Sequence, residues 1–217
     1  MSETIGNFAK NTDSLIMSVP TKIVDVIKQR VSEAENGTLL FSNSFPEYGD
    51  EYVGHILSDL VKEGLIYRLC RGVYLKTIKT RFGLAYPPLE VIAAAIAERD
   101  NAEILPTGAT ALNLLGLSTQ VPMNPTFITS GSARVINIDG RNITFRRVVP
   151  KNFAIKGPRR RLIVQALKAI GEKSLSGHDE ERIGALIKNN SEADCLDEDM
   201  KVMPVWIKRI FQKHTTR

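Results

Sequence analysis

Residues 62–76, KEGLIYRLCRGVYLK, contain a predicted β-hairpin whose polar strand positions carry only positive charge. Two short apolar runs flank a turn at Gly72, and a glycine permits the turn and a close approach of the backbone. Arg68 lies on the first run, Arg71 lies in the turn, and Lys76 ends the second run. Cations at fixed positions on a hairpin can bind successive phosphates of a nucleic acid, or they can keep an exposed strand edge from pairing.

The residues before this hairpin, DEYVGHILSDLVKEG, predict an amphipathic helix. Asp50 is a typical N-cap residue and Gly64 is a typical C′ residue. Apolar residues recur at helical spacing on one face: Val53, Ile56, Leu57 and Leu60. The opposite face carries side chains that can reach base edges and phosphates in a DNA major groove: Tyr52, His55, Ser58 and Lys62. Asp59 on that face would repel phosphates, so an ordinary solvated face is the alternative interpretation.

The order of the predicted elements favours nucleic-acid binding by the hairpin. Four predicted elements follow the layout of a winged helix-turn-helix domain. They are a helix in SVPTKIVDVIKQRVSEAENG, a short second helix near SFPEYG, the amphipathic helix and the hairpin. In that layout the third helix enters the major groove and the hairpin, or wing, follows the backbone. We therefore predict a DNA-binding domain over residues 20–81, after a flexible arm over residues 1–19. The predicted contacts to double-stranded DNA are Tyr52, His55, Ser58, Lys62, Arg68, Arg71, Gly72, Lys76 and Lys79.

A second group of basic residues lies in the other half of the chain, in RRVVPKNFAIKGPRRRL. It predicts a second basic surface formed by Arg146, Arg147, Lys151, Arg159, Arg160 and Arg161. Such a surface can contact DNA a second time or can bind an acidic protein or an RNA. It can also balance the acidic segment SEADCLDEDM within the same domain, and the sequence leaves these alternatives open.

Catalytic chemistry has weaker support. The three histidines, His55, His178 and His214, have no second histidine and no cysteine as a metal-binding partner at i+3 or i+4. HDEE, which begins at His178, is more typical of a helix that starts with acids in its first turn. TGATAL and TSGSAR match neither a nucleophile elbow nor a P-loop, and NITFRRVV lacks the acid of a nuclease strand. We expect no enzyme activity, no cofactor and no metal site.

Composition favours a soluble globular protein with an anionic partner. The 217 residues are 43% hydrophobic and 24% charged, with a net charge of +5 and a pI near 9.2. Two distant cysteines predict no disulfide framework. No run approaches the roughly 20 apolar residues of a spanning helix, and the N-terminus is unlike a secretory signal. The sequence therefore predicts a cytoplasmic protein without membrane contact.

Residues 82–217 predict a mixed α+β domain, which opens with a linker in RFGLAYPPLE and has regular structure from about Pro88. LEVIAAAIAERD and TGATALNLLGL predict helices on either side of a short strand in AEILPTG. Three strands are predicted, in NPTFITSGS, ARVINIDG and RNITFRRVVP. A hairpin turn at Asp139 and Gly140 joins the last two. A helix in GPRRRLIVQALKAIG and two more, over roughly 178–188 and 195–213, complete the domain.

Three segments of the chain, in their order, resemble a known family: LVKEGLIYRLCRGVYLK, LPTGATALNLLGLSTQVPMNPTFITSG and INIDGRNITFRRV. The resemblance is to the antitoxins of AbiE-type (abortive infection) type IV toxin–antitoxin systems of bacteria, and it covers roughly residues 20–170. Its most specific parts are the wing motif at Arg71–Tyr74 and the segment Thr107–Leu117. The helices after about residue 175 match nothing assigned in that family.

The resemblance implies a winged-helix domain followed by an α+β antitoxin domain. It also implies a DNA-binding repressor of its own operon that counteracts a nucleotidyltransferase-like toxin, without requiring direct contact between the two proteins. A regulator of this size is expected to bind a repeated DNA site as a homodimer. The alternative is an adaptor that does not bind DNA and whose basic C-terminal surface binds a protein toxin or RNA.

Overall fold

The computed structural model describes residues 18–81, 83–189 and 196–215. The chain divides into two compact units, the first ending at Pro87 and the second beginning at Pro88. The fold is mixed α+β, as predicted. The predicted arm over residues 1–19 lies outside the described residues except for its last two, which belong to the first helix. Among the described helices, none combines the length and the apolar composition needed to cross a membrane.

In the first unit the described elements run helix, strand, helix and four strands. They are α1 (Ser18–Glu33), β1 (Leu39–Leu40), α2 (Asp50–Lys62), β2 (Ile66–Cys70), β3 (Val73–Lys76), β4 (Ile78–Thr80) and β5 (Gly83–Ala85). A short second helix is predicted near SFPEYG, but the structure has only a 3-10 turn at Ser42–Ser44. Pro46 follows this turn closely and disfavours helical backbone in the residue before it.

Helix α2 has the predicted apolar face and the predicted C-terminal cap. Its N-cap is Gly49 rather than Asp50, which is instead the first helical residue. At the other end, Gly64 adopts φ +74°. The Gly64 N–H donates to the Val61 carbonyl and the Leu65 N–H donates to the Leu60 carbonyl, each at 3.0 Å. These two bonds form a Schellman motif, which ends the helix and directs the chain into β2.

The core of the first unit lies between α1, α2 and a three-stranded antiparallel sheet in the order β1-β3-β2. Ile27 and Val31 of α1 are fully buried, as are Val53 and Leu57 of α2. The i, i+4 spacing within each pair places both side chains on one face of the helix. Burial of a large aliphatic side chain contributes about 1.5–3 kcal/mol, so this shared core positions α2 against the sheet.

A second hairpin, β4–β5, occupies part of the predicted linker. Ile78 pairs with Ala85 and Thr80 pairs with Gly83, and the Thr80 hydroxyl donates to the Gly83 carbonyl at 2.8 Å. Three-residue strands are too short to show a clear alternation in the sequence, so the linker prediction was wrong here. Residues 86–88 have no regular structure.

The second unit begins with α3 and contains a four-stranded sheet in the order β6-β7-β9-β8. Strands β7 and β9 are parallel, and the other two pairs are antiparallel. Its elements are α3 (Leu89–Arg99), β6 (Ile104–Pro106), α4 (Ala109–Leu114), β7 (Thr126–Thr129), β8 (Arg134–Ile138), β9 (Arg141–Arg147), α5 (Pro158–Ile170), α6 (Gly177–Lys188), α7 (Leu196–Val202) and α8 (Val205–Thr215).

The β8–β9 hairpin has the predicted turn. Asp139 and Gly140 have φ values of +50° and +79°, and both central residues of a type I′ turn require positive φ. The Gly140 N–H also donates to the Asn137 side-chain oxygen at 3.2 Å. The turn prediction is therefore confirmed.

The C-terminal helices differ from the prediction in number. One helix is predicted over roughly 195–213, whereas the structure has α7 and α8, separated at Met203 and Pro204. Proline lacks the backbone N–H that would continue α7, and it fits the start of a new helix. Helices α5, α6 and α8 share a core that includes Ile163, Ile183 and Ile207, all fully buried.

Candidate nucleic-acid interface

The exposed side of α2 presents two of its four predicted contact residues freely. Tyr52 is 38% exposed and His55 is also exposed. Ser58 is half-buried: its hydroxyl donates to the Gly54 carbonyl at 2.8 Å and lies 3.2 Å from the Tyr74 hydroxyl. Ser58 therefore links α2 to β3, and the structure disfavours the predicted role of its side chain in DNA contact.

Lys62, the fourth of these residues, forms an exposed ion pair. Its Nζ lies 2.7 Å from the Asp59 carboxylate one turn earlier. The hydrogen bond from Lys62 and its charge lower the pKa of Asp59. Pairs this exposed are weak and are screened by salt, so a phosphate can compete for Lys62. The pair also offsets the repulsion expected between Asp59 and phosphates.

The β2–β3 hairpin carries an irregularity directly after its exposed cation Arg68. Register shifts between Arg68 and Cys70, so Leu69 has no partner on β3. This bulge interrupts the alternation of faces at Leu69. From Ile66 to Arg68 the register is regular, and Arg68 pairs with Tyr74. Ile66 and Leu69 are buried, whereas Arg68 is exposed next to the turn.

The turn of this hairpin consists of Arg71 and Gly72, between the paired residues Cys70 and Val73. Gly72 adopts φ +72°, a conformation that costs other residues energy. Arg71 is exposed at the turn. The sequence therefore predicted both the turn and the need for a glycine within it.

Lys76 closes the hairpin and is half-buried. Its backbone N–H donates to the Thr38 carbonyl, and its carbonyl accepts from the Gly37 N–H, both at 2.9 Å. These bonds fix the base of the hairpin to the segment that leads into β1. The side chain of Lys79, the last predicted contact residue, lies outside the described residues.

Two further acidic residues of the first unit, Glu63 and Glu47, are paired with α1 rather than with the hairpin. Lys28 contacts Glu63 at 2.6 Å, and Arg30 contacts Glu47 at 2.5 Å. In the part of the chain that the structure describes, no carboxylate pairs with Arg68 or Arg71. The hairpin thus presents uncompensated positive charge.

The second basic surface is smaller than predicted because Arg160 is buried. Arg160 is 3% exposed, and its Nε donates to the Asp199 carboxylate at 2.6 Å. Asp199 is 1% exposed and also accepts the backbone N–H groups of Lys156 and Gly157, at 2.7 and 3.1 Å. Burial raises the pKa of Asp199, but the hydrogen bonds from Lys156 and Arg160 outweigh it and hold that pKa below its ordinary value.

Intramolecular pairing with the acidic segment therefore accounts for part of the basic sequence. Lys156 also pairs with Glu198 at 2.6 Å. Arg161 is partly engaged as well: its Nε donates to the Ile155 carbonyl, and its guanidinium lies 3.6 Å from the Glu103 carboxylate. Four of the six predicted residues are exposed: Arg146, Arg147, Lys151 and Arg159.

The histidines form no metal centre among the described residues, where no group of three or more potential ligands occurs. HDEE begins α6, as predicted. The Ser176 hydroxyl caps this helix by accepting from the Asp179 N–H at 3.1 Å. His214 lies on α8, with its Nε2 3.7 Å from the Glu180 carboxylate.

A sequence model of one protein family, described as a family of unknown function, matches residues 22–195. The chain belongs to this family, DUF6088. No curated protein matches the chain. The DUF6088 match includes all the residues predicted to contact DNA and the whole predicted basic surface, and it ends before Asp199.

One exposed aromatic residue of this DUF6088 chain was missed by the sequence analysis. Tyr67 precedes Arg68 on β2, is 40% exposed, and meets the ring of Tyr86 edge-on with ring centroids 6.1 Å apart. An apolar run such as LIYRL does not show which of its residues face outward. The burial of Ile66 was the missing information, because the side chain of Tyr67 then projects to the opposite side of the strand.

Proposed function

We propose that this chain is a DNA-binding antitoxin of an AbiE-type type IV toxin–antitoxin system. Its first unit represses its own operon as a winged helix-turn-helix domain, and its second unit antagonises a nucleotidyltransferase-like toxin. The observation that carries the DNA-binding part is the exposed pair Arg68 and Arg71, which has no carboxylate partner among the described residues.

The order and pairing of the elements support a winged-helix function. The chain passes in order through α1, β1, the 3-10 turn, α2 and the β2–β3 hairpin. Strand β1 pairs antiparallel with β3. In such a domain the helix before the hairpin enters the major groove and the hairpin follows the phosphates. The exposed side chains of Tyr52 and His55 then approach base edges, while Arg68 and Arg71 bind phosphates.

The hairpin charge gives a quantitative expectation for salt dependence. If Arg68, Arg71, Lys76 and Lys79 each neutralise one phosphate, log K falls with log salt with a slope of about −3.6 for each bound copy. Tyr52 and His55 add sequence selectivity through contacts with base edges. A homodimer on a repeated operator doubles the slope and lengthens the specific footprint.

The test is binding of the full chain to the duplex immediately upstream of its gene, against a scrambled duplex. We expect selective binding that is lost when Arg68→Ala and Arg71→Ala are combined. The matched control combines Arg147→Ala with Lys151→Ala, which removes the same charge from the second unit. Unchanged affinity in the hairpin variant would contradict the proposal.

The adaptor alternative is favoured by a different observation, the exposure of Arg146, Arg147 and Lys151. Among the described residues, none of the three has a carboxylate partner. Co-expression with the toxin separates the two functions. The DNA-binding antitoxin predicts that the Arg68/Arg71 variant still protects cells while repression is lost. The adaptor predicts that the Arg147/Lys151 variant loses protection while the hairpin variant has no defect in either assay.

The remaining parts of the proposal follow from the same sequence features. The chain acts by binding rather than catalysis, without a cofactor or metal, and in the cytoplasm. Direct contact with the toxin is not required for this activity. The acidic α7 serves the fold of the second unit through Asp199, rather than binding DNA.

A further inference from the structure

The second unit contains a cavity of about 330 Å³ between one face of the sheet and α5. Ile128 on β7 and Arg146 on β9 are paired neighbours, so their side chains project from the same face of the sheet. Gln165, Lys168 and Ala169 of α5 also line the cavity. Their spacing of i, i+3 and i+4 places them on one face of that helix.

The cavity contains positive charge without negative charge. Arg146 and Lys168 line it, and its lining includes no aspartate or glutamate. Within the described ranges, no carboxylate pairs with either cation. Lys168 is exposed over much of its surface, and its partial burial in the cavity wall lowers the pKa of its ammonium group, because loss of water disfavours the charged form.

Gln165 supplies a neutral polar group at the wall of the cavity. It is only 5% exposed, yet within the described part of the chain nothing hydrogen-bonds to its side-chain amide. The Gln165 amide is not among the fully buried unpaired polar groups of the described residues, so it keeps access to the cavity, where it can hydrogen-bond to water or to a ligand. The cavity is the space into which this amide can direct its hydrogen bonds.

We propose that this cavity binds a small organic phosphate. Arg146 and Lys168 bind the phosphate, Gln165 hydrogen-bonds to a phosphate or hydroxyl oxygen, and Ile128 and Ala169 pack against the organic part. Two cations match the two charges of a phosphate monoester, whereas a single carboxylate would leave one cation uncompensated. The volume lies within the range typical of small-molecule sites.

This site lies entirely in the second unit and uses neither α2 nor the β2–β3 hairpin. The inference therefore stands independently of DNA binding by the first unit. Arg146 belongs to the predicted basic surface, but Gln165 and Lys168 do not. Their chemistry became apparent only when α5 and the sheet were brought together.

The test is isothermal titration of the full chain with four probes: inorganic phosphate, ribose 5-phosphate, AMP and adenosine. We expect ribose 5-phosphate or AMP to bind more tightly than inorganic phosphate, and adenosine to bind at least about tenfold more weakly than AMP. Arg146→Ala and Lys168→Ala should each weaken binding by about tenfold or more, since each removes a charge-assisted contact.

Two further variants make the result specific to the cavity. Arg147→Ala removes the next cation on β9, which projects from the opposite face of the sheet, and should change affinity less than about twofold. Gln165→Met keeps the length of the side chain and removes its hydrogen bonds. It should weaken phosphate binding while the protein remains folded by circular dichroism.

Three results would overturn the inference. One is the absence of binding by every probe up to about 10 mM. Another is equal affinity in the wild type, the Arg146→Ala variant and the Lys168→Ala variant. The third is equal affinity for AMP and adenosine, because the phosphate then contributes nothing. If inorganic phosphate binds as tightly as both organic phosphates, the part of the inference that concerns the organic group is wrong.

Discussion

Replacement of Asp199 by alanine tests the interaction that joins the acidic C-terminal segment to the rest of the second unit. Asp199 is 1% exposed and accepts hydrogen bonds from Arg160, Lys156 and Gly157. The substitution removes the carboxylate that accepts from the Arg160 Nε, and the Arg160 side chain is itself only 3% exposed. Removing one partner of a buried ion pair typically costs about 3–5 kcal/mol of the free energy of unfolding.

This loss is a large part of the stability of an ordinary domain, which is about 5–15 kcal/mol. With an m-value of about 2 kcal/mol/M, the midpoint of urea unfolding should fall by about 1.5–2.5 M. Trp206 is the one tryptophan of the chain and packs against the core of α5, α6 and α8. Its fluorescence therefore reports the unfolding of the second unit separately from that of the first.

Glu198→Ala is the matched control. Glu198 precedes Asp199 on α7 and pairs with Lys156, but its side chain is 59% exposed. An ion pair in water contributes little, so this variant should unfold close to the wild-type midpoint. If Asp199→Ala lowers the midpoint no more than Glu198→Ala does, the stabilising role assigned to the buried pair is refuted.

The remaining predictions concern pH and two close contacts. The pKa of Asp199 is lowered in the folded chain, so its stabilising effect is complete above its unfolded pKa and is lost as pH falls. The difference in free energy of unfolding between the wild type and Asp199→Asn should therefore narrow below about pH 4; a constant difference would contradict this. Gly184→Ala should destabilise the second unit, because a Cβ there overlaps the ring of His214, whereas Gly177→Ala, with open space around it, should not. Ser58→Ala should lower the free energy of unfolding in urea by about 0.5–1.5 kcal/mol. It should leave the affinity of the folded protein for the operator nearly unchanged. A selective loss of that affinity would show that Ser58 contacts DNA.

Features that depend on local sequence were predictable. Four apolar residues at helical spacing identified the buried face of α2, and Gly64 identified its C-terminal cap. Asp139 and Gly140 identified the β8–β9 turn because few residue pairs tolerate positive φ at both positions. Pro204 marks the break between α7 and α8, and it was a readable signal that the predicted single helix ignored.

Features that depend on tertiary contact were not predictable from one sequence. Ser58 occupies the polar side of α2 by periodicity, but its hydroxyl lies next to Tyr74, which is sixteen residues away along the chain. The burial of Arg160 depends on Asp199, thirty-nine residues away. Composition indicated that the basic and acidic segments could pair, but it could not indicate which arginine would be buried.

The candidate nucleic-acid interface likewise has some features that follow from local sequence and others that depend on tertiary contact. The sequence identified Arg68, Arg71 and Gly72 as a basic hairpin, because charge and turn residues are local. It did not identify the bulge after Arg68, which depends on how β2 pairs with β3. The cavity of the second unit was also missed, because β9 and α5 contribute to it separately.

Salt-dependent binding to the upstream duplex tests the central claim most directly. The wild-type chain and the combined Arg68→Ala, Arg71→Ala variant would be titrated with the upstream and the scrambled duplex over a series of salt concentrations. We expect tight, selective binding by the wild type and a slope of log K against log salt that is about 2 units shallower per bound copy in the variant. Equal, weak binding of both duplexes by the wild type, or the same slope in both proteins, would contradict it.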